Sequence, residues 1–127
     1  MDNGFILKKE SLVTVCYSVQ ESKAVKRSIR NLRNDIEKVI GCQCEEMLCG
    51  EGKREKGLCI MAGTIGKNKE VDIKIGQGLL DVDSILDENG NYRWEGYVIQ
   101  EIEGELYIAG SDRRGTVYGI YEFSRWL

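Results

Sequence analysis

With 127 residues, a net charge of −3 and an isoelectric point near 5.1, the chain has the length of one domain. It lacks the dominant basic surface of a general nucleic-acid binder, so no nucleic-acid partner is expected. It contains no histidine, which removes the commonest metal ligand and the side chain that most often serves as general base near neutral pH.

No apolar run approaches the roughly 18 residues that span a bilayer, so no membrane partner is expected. Met1-Asp2-Asn3-Gly4 does not open a signal peptide, and a cytoplasmic location is the expectation for the chain as it stands. The five cysteines, Cys16, Cys42, Cys44, Cys49 and Cys59, are an odd number without secretory context and read as reduced thiols. Their spacing lacks the paired knuckles of a zinc site. Cys16 and Cys59 lie in apolar runs and read as small core residues.

In chain order, Leu12-Val13-Thr14-Val15-Cys16-Tyr17 is a β-branched run and predicts a strand. Ser18 and Glu21 have the spacing of a capping box. Val25, Ile29, Leu32, Ile36, Val39 and Ile40 then recur at steps of three and four, which predicts a helix of about 20 residues stopped by Gly41. Its opposite face carries Lys23, Lys26, Arg27, Arg30 and Arg33 and reads as a solvated face. A weak strand is predicted over 44–48, a charged loop over 50–57 and a buried strand over 58–63. A short helix follows near 68–76, then a helical turn near 81–86.

Asn89-Gly90 marks a turn. Strands over 92–102 and 105–109 follow, joined at Glu103-Gly104 as a hairpin. A last helix begins at Ser111 or Asp112, either of which can cap it. Alternating strands and helices of this kind predict an α/β layered domain, one mixed sheet with helices packed on it.

Familiar chemical motifs come close and miss. Gly110-x4-Gly115 has the glycine spacing of a nucleotide-binding P-loop, but Thr116 follows where the phosphate-clamping Lys belongs. Gly76-x-Gly78 lacks the third glycine of a dinucleotide fingerprint. Asp81-x-Asp83 and Asp87-x-Asn89-x-Asn91 lack the sixth-position Gly and twelfth-position Glu of a calcium loop. Serine and cysteine nucleophiles have no histidine to activate them, and the acids Glu95, Glu101, Glu103, Glu105 and Asp112 fall on exposed turns or alternate strand faces. No catalytic residue, metal ligand or cofactor-binding residue is therefore assigned, and no cofactor is expected.

Gly110, Ser111, Asp112, Arg113, Gly115 and Gly119 remain as a structural motif or weak ligand-contact candidates. Gly115 and Gly119 stand four apart on one helix face, each costing about 1 kcal/mol relative to Ala. That cost predicts close approach of another backbone. Asp112 and Arg113 predict a cap with a local ion pair.

The stretch from Leu106 through Gly110-Ser111-Asp112-Arg113-Arg114-Gly115-Thr116 to Ser124 resembles the N-terminal domain of glycoside hydrolase family 115, the xylan α-1,2-glucuronidases, with their "AGSD-[KR]-RG-T-[IV]-YG-[IL]-Y" pattern. Trp94-Glu95-Gly96-Tyr97-Val98-Ile99-Gln100 is similar to that family's "WE-x-[FY]-x-[IL]-Q" strand, and Gly63-Thr64-Ile65-Gly66-Lys67 to its "GT-[LI]-GK" turn. Asp72 to Val82 and the helix over 24–41 are similar to further family segments, and the likeness is loosest over 42–57.

The resemblance implies a single non-catalytic α/β domain over 1–127, like the accessory domain preceding the barrel in hexosaminidases. A (β/α)8 catalytic barrel would follow it in a longer parent, possible as a homo-oligomer, that removes (4-O-methyl)glucuronic acid from glucuronoxylan. The partner it implies is that barrel, with xylan-derived carbohydrate reached through the parent. Its catalytic residues match no position here. The residues alone leave open a standalone carbohydrate-binding module, with Trp94, Tyr97, Tyr107, Tyr118, Tyr121 and Trp126 as its rings, although their spacing places most of them in the core or an interface. A small α/β binding protein using the Gly110 loop is the third reading.

Overall fold

A computed structural model describes residues 7–50 and 57–127. Five strands form one sheet: β1 (Leu12–Tyr17), β2 (Gln43–Leu48), β3 (Leu58–Thr64), β4 (Tyr97–Ile102) and β5 (Glu105–Gly110). Their spatial order is β2-β1-β3-β5-β4, parallel throughout except for β4, which pairs antiparallel with β5. Among the described residues three α-helices pack with the sheet, α1 (Lys23–Asp35), α2 (Lys69–Gly76) and α3 (Arg113–Arg125), and the helical turn expected near 81–86 is a 3-10 turn over Asp83–Ile85. This is the mixed α/β sheet expected from the alternation of elements. Residues 51–56, most of the predicted charged loop over 50–57, lie outside the described residues.

The central strands read as unbroken apolar runs because both of their faces are covered. Val13, Val15, Ile60, Ala62, Leu106 and Ile108 point to one face, where they meet Val25, Ile29, Leu32 and Ile36 of the first helical segment and Ile120 and Phe123 of α3. Their sequence neighbours Cys16, Cys59, Met61, Tyr107 and Ala109 point the other way, onto Val71 of α2 and Leu80, Val82 and Ile85. The period of two thus divides the core into two layers.

Helix α1 continues from Asp35 into one π-helical turn, Ile36–Ile40, and ends at Gly41 with φ +81°. The stop residue and overall length match the periodicity. The N-terminus does not: the Ser22 side chain caps the helix by accepting from the Val25 amide, while the capping box expected at Ser18 and Glu21 is not formed. Glu21 is drawn into the core instead, 5% exposed. The strand expected over 92–102 is also shorter. Tyr92 makes an isolated bridge with Leu86, Glu95 turns left-handed at φ +58°, and β4 begins only at Tyr97.

At Glu103 and Gly104 the φ values of +52° and +85° give the hairpin turn that suits the right-handed twist of its strands. Asn68, at the predicted start of the short helix, caps α2 by accepting from the Val71 amide.

Cys42 and Cys44 are buried beside the first helical segment, and Cys16 and Cys59 face each other with sulfurs 3.6 Å apart on the opposite layer. Burial, reinforced by Cys42 and Glu37, pushes the Cys44 thiol up to about 12. Burial raises Cys42 as well. Thiolate is the reactive form, so alkylation of native protein at pH 8, read peptide by peptide in a mass spectrometer, is expected to be at least roughly a thousandfold slower at Cys44 than at an ordinary thiol near pKa ~8.5. The same shift costs stability in alkali. As pH rises through the ordinary thiol range toward 12, only the unfolded chain releases these protons.

Candidate functional site

The six residues singled out in the sequence gather where β5 hands over to α3. Gly110 closes β5, and a Cβ there would lie 2.1 Å from the Thr116 amide nitrogen, so only glycine lets the helix start fold back this tightly. Ser111 ties the turn to the segment before β4. Its hydroxyl accepts from the Gly96 amide at 2.9 Å and donates to the Arg93 carbonyl at 2.6 Å, while its own amide donates to the Gly96 carbonyl at 2.8 Å.

Asp112 is the cap. One carboxylate oxygen accepts from the Gly115 amide at 2.7 Å and the other from the Glu95 amide at 2.9 Å. Both oxygens are thereby committed to backbone, and the expected Asp112/Arg113 ion pair does not form. The ion pair at this turn is Arg114 with Glu95, at 3.5 Å and largely exposed. Asp112→Ala removes a cap worth typically ~1 kcal/mol and strands a second amide. A loss of about 2 kcal/mol in denaturant unfolding is the expected outcome.

The predicted close approach is found at Gly115, where a Cβ would sit 2.1 Å from the Gly96 carbonyl oxygen. At Gly119 the neighbours are side chains instead, Ile108 Cγ2 at 2.9 Å and Tyr97 Cβ at 3.2 Å. Helix α3 therefore presses its glycine face onto β4, β5 and the turn before them.

Beneath this turn lies a buried polar network that sequence reasoning missed. Glu21 accepts from the Thr64 amide at 2.7 Å and from the Thr64 hydroxyl at 2.8 Å. The Thr64 and Thr116 hydroxyls are 2.7 Å apart. Each hydroxyl has one proton to give. Thr64 gives its proton to Glu21, so Thr116 donates at the shared contact, with the Asp112 carbonyl competing for that proton at 2.9 Å. Among the described residues no Lys or Arg pairs with Glu21. Its charge is balanced by these donors and by the start of α1. The local signal was ambiguous: Glu21 stands three residues after one serine and directly before another, and its real partner is 43 residues away.

A crevice of about 430 Å³ opens where the connections after β1 and β3 diverge, the switch point at which α/β sheets commonly bind ligands. Ser18, Gln20, Lys67, Asn68 and Asp72 are among its lining residues. Asp72 is used within the fold, taking the Gly66 amide at 2.9 Å, and Lys67 and Lys69 are offset by Glu70 and Asp72. Among the described residues no group of three or more His, Cys, Asp or Glu is placed to hold a metal ion.

The aromatic side chains divide between the core and the surface. Tyr107 is buried and Tyr97 half-buried, but Trp94 is 89% exposed and Tyr118, Tyr121 and Trp126 are exposed as well. The last three stand on or just after α3, turned away from the sheet.

The fold and its glycine-locked turn define a doubly wound α/β domain whose distinctive residues bind one another. No family model and no curated protein matches the chain. Among solved structures it is similar to a family GH115 4-O-methyl-α-glucuronidase, BtGH115A, described as specific for decorated arabinogalactans, at 26% identity and TM-score 0.69. That match covers 94% of this chain and 14% of the other. The chain is also similar in fold to CpGH84D at 15% identity and TM-score 0.62, covering 89% of this chain and 17% of that one. It thus spans a small part of the length of these proteins.

Proposed function

We propose that the chain is a non-catalytic accessory domain of a glycoside hydrolase of the α-glucuronidase type, with the catalytic part of the same polypeptide as its partner. The observation that carries this reading is the 26% identity with BtGH115A along 94% of the chain, within only 14% of that enzyme. The interlocking of the motif residues supports it. Gly96 of the Trp-Glu-Gly segment touches Gly115, and Thr64 of the Gly-Thr turn touches Thr116. These residues bind one another and build the domain.

On this reading Tyr118, Tyr121 and Trp126 form a face that the catalytic barrel covers. The parent enzyme removes glucuronic or 4-O-methylglucuronic acid side groups from a polysaccharide such as glucuronoxylan. The isolated 127-residue chain is expected to release no glucuronic acid from glucuronoxylan in an assay that reads the free sugar. Measurable release overturns the reading.

A carbohydrate-binding module is the second reading, favoured by the exposure of Trp94. It requires saturable binding of neutral xylo-oligosaccharides in a calorimetric titration, which an accessory scaffold does not show.

A further inference from the structure

Sulfur is gathered in one corner of the core. Five of the chain's eight cysteines and methionines, Cys16, Met47, Cys49, Cys59 and Met61, belong to or pack against a single layer. The layer under α1 and α3 is built largely of Val, Ile and Leu instead. Strand register explains the gathering. Cys16 of β1 stands between Met47 of β2 and Met61 of β3, and Cys59 lies two residues before Met61, so all four point to the same face. Cys49, just beyond β2, joins them at the wall of the crevice beside α2.

The sulfurs are spaced as ligands to one ion are. Cys16 and Cys59 Sγ are 3.6 Å apart. With metal–sulfur bonds of about 2.3 Å, that separation subtends an angle of roughly 100°, which leaves space on the ion for a further ligand. Met61, the register partner of Cys16, is 2% exposed. Its Sδ meets the Cys49 thiol at 3.5 Å and the Asn68 amide nitrogen at 3.7 Å. Three rotatable bonds let that sulfur turn from Cys49 to the cysteine pair. Sulfur thus leads from the crevice wall at Cys49, through Met61, to Cys16 and Cys59. The pair is poorly placed to form a disulfide. Cys59 pairs in register with Thr14, two residues from Cys16. Strand rise and spacing then set the two Cα atoms about 8 Å apart, beyond the ~7 Å that a disulfide spans.

We propose that Cys16, Cys59 and Met61 form a binding site for a soft monovalent cation, copper(I). Thiolate and thioether together suit that ion. Structural zinc requires a closed set of four ligands, and among the described residues no third His, Cys, Asp or Glu joins the pair. Calcium and magnesium take oxygen ligands. On binding, each thiol gives its proton to solvent and its sulfur donates an electron pair to the ion, while the thioether donates a pair and loses nothing. One copper(I) therefore displaces two protons, and no electron changes hands. The inference does not rest on the accessory-domain reading.

The test is an oxygen-free titration of the reduced 127-residue chain with copper(I) supplied from a coloured chelate, each variant first checked for native near-UV circular dichroism. One equivalent is expected to leave the chelate, with a thiolate-to-copper band appearing in the ultraviolet and affinity rising with pH. Zinc(II) should bind at least roughly a hundredfold more weakly. Cys16→Ala and Cys59→Ala are each expected to weaken copper by more than roughly a hundredfold, above the loss seen when a residue behind a ligand is removed. Met61→Leu keeps the volume without the sulfur and should cost roughly tenfold. Removing Cys42 and Cys44 together, as alanines, takes away the pair on the other layer and should change nothing. X-ray absorption of copper in the unaltered chain reads the ligands without any substitution: three sulfurs at about 2.3 Å and no nitrogen or oxygen are expected.

No transfer of copper, a ligand shell containing nitrogen or oxygen, or zinc bound as tightly as copper would each overturn the proposal. So would loss of binding in the chain without Cys42 and Cys44, or full affinity in folded Cys16→Ala, Cys59→Ala or Met61→Leu.

Discussion

Gly115→Ala lowers the stability of the domain by about 3 kcal/mol, at the upper end of overpacking costs, although helix propensity alone would raise it by about 1 kcal/mol. The sign is decided by what the new methyl meets. Its ideal position is 2.1 Å from the Gly96 carbonyl oxygen, and that oxygen belongs to backbone pinned by Ser111 at 2.8 Å and 2.9 Å through its own carbonyl and amide. Relief requires separating α3 from the turn before β4. Gly76→Ala is the matched control. It lies in α2 with nothing within 4 Å of the added carbon, so it is expected to gain up to about 1 kcal/mol. Urea unfolding midpoints of the two variants should move in opposite directions. A Gly115→Ala midpoint at or above that of the unaltered chain would contradict the close-packed interface.

The second large effect is expected at Glu21. Glu21→Ala leaves the Thr64 amide and hydroxyl buried without their acceptor, each orphan costing about 1–3 kcal/mol, for a loss of about 3 kcal/mol. Glu21→Gln keeps one acceptor oxygen and presents an NH2 to the other donor, so its loss should fall between alanine and the unaltered chain. A loss below about 0.5 kcal/mol for Glu21→Ala, measured by urea unfolding, would place this carboxylate outside the core network.

Which parts of the molecule were legible follows from the range over which each signal acts. Val25, Ile29, Leu32 and Ile36 announce α1 because helical period and burial coincide on one face. Ser111-Asp112 announces the start of α3 without saying which of the two caps it, and Glu103-Gly104 announces the hairpin, because a cap and a tight turn are decided within four residues. Ser18 and Ser22 could not be separated in this way. Each can cap a helix, and the choice is made by Thr64, far along the chain, which takes Glu21 away from the cap.

The segment before β4 misled for a similar reason. Its residues suit a strand, but the Asp112 carboxylate and the Ser111 hydroxyl take the Glu95 and Gly96 amides that a ladder would have used. The aromatic side chains were legible only in part. Tyr107 alternates into the core, whereas Tyr118 and Tyr121 share a helix with Ile120 and Phe123 but point away from the sheet. Their type marks a contact surface without saying whether the partner lies within the domain or beyond it.

The mass of the native polypeptide tests the account most directly. An antibody raised against the 127-residue chain, used on a denaturing blot of its source cells and their medium, is predicted to reveal a band several times larger than 14.4 kDa, as an accessory domain joined to a catalytic barrel requires. A single stable band at 14.4 kDa in both samples would contradict it.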